Sequence, residues 1–140
     1  MQSLPESDLR FLADFEDCRM TAAEFGHREH VRVAYIYLSL HPFEIARTRI
    51  ENGLRQLLAH FGAPPAKYHE TLTRAWLLAV QHFLQASGPT TGSAQFLHQN
   101  AALLAKEIME THYTKDRLGS EEARRHFVEP DLQPIPRAAG

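Results

Sequence analysis

The chain has 140 residues, 44% apolar and 23% charged, with a net charge of -2 and a single cysteine, Cys18, beside nine histidines. That length holds one core rather than two, and that mixture excludes wholesale disorder, collagen-like repeats and a disulfide scaffold. Fifteen Lys and Arg against seventeen Asp and Glu, with no basic block longer than Arg124-Arg125, leave no footprint for a phosphate backbone, so nucleic acid is not an expected partner.

In chain order, Ser3 and Glu6 form a capping-box pattern, and Leu9, Phe11, Leu12, Phe15 and Cys18 recur at helical spacing, which predicts a first helix over 6 to about 18. A second box, Thr21 to Glu24, opens a helix running to about Leu40. Its segment from Val31 to Leu40 is apolar on nearly every side and therefore central. His41-Pro42 stops it, and Pro42 starts a third helix. There Phe43, Ala46, Ile50, Leu54, Leu57 and Phe61 make one stripe opposite Arg47, Arg49, Glu51 and Arg55, as on a peripheral amphipathic helix. Gly62-Ala-Pro-Pro65 ends it.

Residues from Tyr68 to about Ala86 form a second central helix through Trp76, Leu77, Leu78, Val80 and Phe83. After the loop from Ser87 to Ser93, a fifth helix is expected over about 93–111, with Leu97, Ala101, Leu104 and Ile108 on one face. A short last helix, capped by Ser120, ends near Phe127, and prolines hold the tail from Glu129 to Pro136 extended. No stretch alternates with the period of a half-buried strand. The expected fold is all-α, a single-domain antiparallel bundle of four to five helices with a short C-terminal helix and an extended tail.

Residues 1–10 contain Glu6, Asp8 and Arg10 and no apolar core of a leader, and the longest apolar run is ten residues interrupted by Arg32, well short of the ~20 of a spanning helix. With its lone thiol, the chain reads as cytoplasmic and without a membrane partner.

Up-down-up packing brings His27, His30, His60, His69, Glu70, His112 and Tyr113 to one end of such a bundle. His27 and His30 are an i, i+3 pair on one side of a helix start, where the helix dipole keeps imidazole neutral and able to ligate. A third imidazole from His69 completes a three-histidine set for one divalent transition metal, zinc, iron or manganese. Glu70 is then the general base, with His69 and Tyr113 as further catalytic candidates. Each pattern has a plainer reading: His-x-x-His also arises as a pair of cap residues, and an ionisable group in a helix's first turn is ordinary capping. HExxH, a His-Asp dipeptide, paired Glu-x-x-His motifs, a deaminase cysteine pair, a P-loop and a Rossmann glycine pattern are all missing.

Phe25-x-His27-x-x-His30, Tyr68-His-Glu-Thr71 before Trp76, and Phe127-Val-Glu-Pro-Asp-Leu132 with Pro134 and Pro136 resemble segments of a group of small bacterial all-helical proteins. The resemblance also takes in Tyr113 to Arg124, and it implies that the tail belongs with the histidine-bearing helix starts. Two functions are expected on these grounds. One is a small enzyme using metal-assisted or His/Glu acid-base chemistry on a small molecule. The other is a non-catalytic module that binds a carboxylate or other small anion, or one that dimerises through a helix face.

Overall fold

The computed structural model describes residues 4–136, which contain helices and no strand, as expected for an all-α chain. Four helices make the framework: α1 (Glu6–Glu16), α2 (His27–Leu40), α3 (Phe43–His60) and α4 (Glu70–Ser87). Shorter ones come after them, α5 (Ser93–Gln99), α6 (Lys115–Leu118) and α7 (Glu121–Arg125), with 3-10 turns at Pro65–Lys67, Ala101–Leu104 and Lys106–Thr111. No helix among the described residues is long and apolar enough to cross a membrane.

The all-round apolar sequence of α2 has its physical counterpart in position, for α2 packs against α1, α3, α4 and α5 and buries Val31, Val33, Ala34, Tyr35, Ile36 and Tyr37. Helix α4 is the second buried element, through Ala75, Trp76, Leu77, Leu78, Ala79 and Val80. The boundaries move where capping decides them. Thr21 and Glu24 do bond reciprocally, at 2.8 and 3.3 Å, yet they close one turn only. Extended Gly26 interrupts the chain, and α2 starts at His27 with the Gly26 N–H donating to Glu29 Oε1 at 2.8 Å. Likewise α4 starts at Glu70 because His69 is its cap, and α1 starts after Pro5. Ser3 lies outside the described residues.

The fifth helix differs most from expectation. It ends at Gln99 because the Asn100 side chain donates to Phe96 O at 3.0 Å and to Ser87 Oγ at 2.9 Å, holding its own backbone outside the helical region. The break rotates the segment after Asn100, so Leu103 and Met109 are buried in place of Ala101 and Ile108. The proline-rich tail is extended and folds back: Leu132 N–H donates to His112 O, Gln133 N–H to Thr111 O, and Thr114 N–H to Asp131 Oδ1. Buried Val128 and Ile135 anchor it to the core.

Close approach of α1 to α3 depends on Gly53. A Cβ there would stand 2.4 Å from the ring of Phe15, which is fully buried. Gly53→Ala is therefore expected to destabilise the fold by about 2–3 kcal/mol, although alanine is the better helix former. Urea denaturation checks the sign, since a solvent-facing glycine would give a stabilised variant instead.

Candidate functional site

Sequence spacing predicts that the histidines converge, and the structure uses them separately. His69 caps α4: its Nδ1 accepts from Leu72 N–H at 3.1 Å, which places the ring proton on Nε2, and Nε2 donates to Leu118 O at 2.8 Å. Both nitrogens are thereby engaged, and burial, followed by the charge of Arg124, works against a second proton. His27 bonds through Nε2 to Leu103 O at 2.9 Å and sets its ring 4.3 Å from that of Trp76. Trp76 is seven residues along α4 from His69, a rise of ~10 Å, so the two imidazoles contact α4 at different levels. His30 Nε2 is closed off from solvent with no hydrogen-bond partner among the described residues, and burial, assisted by neighbouring His27, lowers its pKa to about 4.

His112 Nδ1 lies 2.7 Å from Gln133 O, and His60 is exposed beside Phe61. Tyr113 is buried, and its hydroxyl donates to Val128 O at 2.7 Å, so it fastens the tail. Among the described residues no three His, Cys, Asp or Glu side chains are grouped to hold a metal ion. His27, His30 and His69 as placed do not fit the single three-imidazole centre, and no step of chemistry is routed through one.

Glu70 sits in a different and more demanding setting. Its carboxylate is buried and accepts from the Tyr68 hydroxyl at 2.8 Å. Glu51 of α3, itself buried, feels Glu70 as a neighbouring carboxylate, and a second negative charge beside the first is disfavoured, which raises the proton affinity of Glu51. Burial first, then Glu70, push Glu51 up to about 7, against the pull of Arg47 at 3.2 Å. Arg55 and Arg74 stand 3.6 and 3.7 Å from Glu70. Burial and the neighbouring carboxylates likewise hold Tyr68 protonated, well above the usual phenol range.

The local sequence explains the cluster. Arg47, Glu51 and Arg55 succeed one another every four residues on α3, and Glu70 and Arg74 do so on α4, so each set shares a helix face. Periodicity alone places Glu51 on a solvated face, whereas it is 8% exposed, because α4 covers that flank of α3. The signal that marks it is this four-residue repeat of alternating charge lying against the Ile50 and Leu54 stripe.

Tyr68 and Arg55 also form a wall. The Arg55 guanidinium lies over the Tyr68 ring at 4.3 Å, and both residues line a cleft of about 350 Å³ with Pro65, Ala66, Glu121, Arg124 and Arg125. Arg124 is tied to Ala66 O at 3.0 Å, and Arg125 pairs with Glu121 at 2.9 Å. Three guanidinium groups against one carboxylate leave the lining positive.

Comparison with protein-family models, with curated proteins and with solved structures finds no match. The resemblance to small bacterial helical proteins thus rests on the residues that carry it.

Proposed function

We propose that this chain binds a small anionic molecule in the cleft walled by Arg55, Tyr68 and Arg124, and that Glu51, behind that wall, takes up a proton when the anion binds. One observation carries the reading: Tyr68 and Arg55 each touch Glu70 and each line the cleft. The cleft volume is in the range of small-molecule sites. Guanidinium groups suit the planar oxygens of a carboxylate or phosphate, and an acid whose pKa stands near 7 can both give and accept a proton near neutrality. The acid-base role expected of Glu70 passes in this reading to Glu51, whose proton affinity burial and Glu70 raise. Tyr68 links the two halves, its ring on the cleft and its hydroxyl on Glu70.

Nuclear magnetic resonance titration with acetate and with inorganic phosphate tests the reading. Signals of Arg55, Tyr68 and Arg124 should shift, and Arg55→Gln should weaken binding at least about tenfold, the worth of one charge-assisted hydrogen bond. Calorimetry in buffers of different ionisation enthalpy should show proton uptake on binding at pH 7, because an added anion raises the proton affinity of Glu51. Glu70→Gln should retain anion binding and lose that uptake. Absence of any shift at Arg55 and Tyr68 with either anion would overturn the proposal, as would unaltered affinity in Arg55→Gln.

A further inference from the structure

Two open apolar grooves share lining residues with the arginine cleft and with each other. The first, about 210 Å³, shares Arg55, Pro65 and Tyr68 with it. The second, about 400 Å³, shares Leu58, Ala63 and Tyr68 with the first and ends against Phe25 and Phe61. No acidic side chain among the described residues lines either groove, and the charged group on the wall of the second is Lys67. Tyr68 borders all three, so aliphatic and aromatic surfaces stand next to the guanidinium groups. A free phosphate or a short polar acid uses the guanidinium groups and leaves those surfaces in contact with water.

We propose that the ligand is an amphiphilic anion, a medium-chain carboxylate, with its head on Arg55 and Arg124 and its chain along Leu58 and Ala63 toward Phe61. This rests on the anion-binding reading of the cleft and adds the chemical class. The sign of the charge is set by the lining, which holds Arg55 at one end and Lys67 at the other, so an alkyl ammonium of equal length meets repulsion at both. Burying each methylene tightens binding about fourfold, so chain length is a direct gauge of the grooves.

The experiment is a titration of the wild-type chain with acetate, butyrate and octanoate, and with octylamine as the cation of matching length. Octanoate should bind at least about a hundredfold more tightly than acetate, with butyrate between them, and octylamine should not compete. Ala63→Phe, which sets a ring at a residue common to both apolar grooves, on a loop outside the helices, should weaken octanoate at least about tenfold and leave acetate unchanged. Equal affinities of acetate and octanoate in the wild type would overturn the chain-binding proposal while leaving the anion site standing. Octylamine binding as tightly as octanoate would overturn it too, by showing mere greasiness. If no carboxylate of any length binds, the underlying anion reading falls and takes this one with it.

Discussion

Asp8→Ala is expected to cost about 3–5 kcal/mol of stability, the scale for removing one member of a buried ion pair. Asp8 is 1% exposed in the first turn of α1. Its Oδ2 accepts from Ser93 N–H at 2.8 Å, and its Oδ1 accepts from the Ser93 hydroxyl and from Arg32 NH2 at 3.1 Å. One carboxylate thus joins α1, α2 and the start of α5. The approach is close because residue 92 is glycine: a Cβ there would meet Pro5 at 2.7 Å and Asp8 at 3.2 Å. Alanine at residue 8 would leave the Ser93 amide without its acceptor and take the carboxylate partner from the Arg32 guanidinium, which is stacked 4.2 Å over Phe11 and would keep only Ser93 Oγ and Ser7 O. Asp8→Asn keeps an acceptor and should lose about half as much. Urea unfolding followed by circular dichroism measures both, and a change below 1 kcal/mol in Asp8→Ala would contradict the account. Arg32 thus has a buried carboxylate as its partner, whereas Arg55 stands 3.6 Å from Glu70, which Arg74 also approaches, and lines the cleft.

The framework was legible because its causes are local. The segment from Val31 to Leu40, apolar on nearly every side, places α2 at the centre, and Pro42 and Gly62 bound α3 wherever it packs. The features that were not legible depend on neighbours distant in the chain. Nothing in the periodicity of residues 93–111 shows that Asn100 will bond to Ser87 instead of continuing a helix. Spacing brought His27, His30 and His69 to helix starts correctly. It could not show that Leu118 and Leu103 carbonyls, from segments dozens of residues away, would take the His69 and His27 rings. Glu70 stands out by its position in the sequence, and its partner Glu51 does not, because a charged residue beside an apolar stripe reads as solvated until another helix covers it. The tail was expected to be extended; its return to Thr111, His112 and Tyr113 is fixed by hydrogen bonds that proline spacing does not encode.

Glu51→Gln is expected to change the dependence of stability on pH. Glu51 has its pKa raised from 4.5 to about 7 by burial and by Glu70, so the native state holds a proton that the unfolded chain releases. Linkage sets the sign: the contribution is complete below about pH 4.5 and is lost as pH rises through 7. His27, His30 and His69 have lowered values, and their contribution runs the other way, present above 6.5 and lost as pH falls toward 4. The wild type should therefore show a stability maximum between these losses, near pH 6. Glutamine mimics the protonated acid, so the variant should match the wild type at pH 4.5 and exceed it by on the order of 2 kcal/mol at pH 8. Urea midpoints across that range decide it, and parallel profiles for the two proteins would show that the native state holds no extra proton on Glu51. The same substitution reaches the cleft. Above pH 7 the second carboxylate charge competes with a ligand anion for Arg55, so wild-type affinity for acetate should fall there, and Glu51→Gln should hold its affinity across the range.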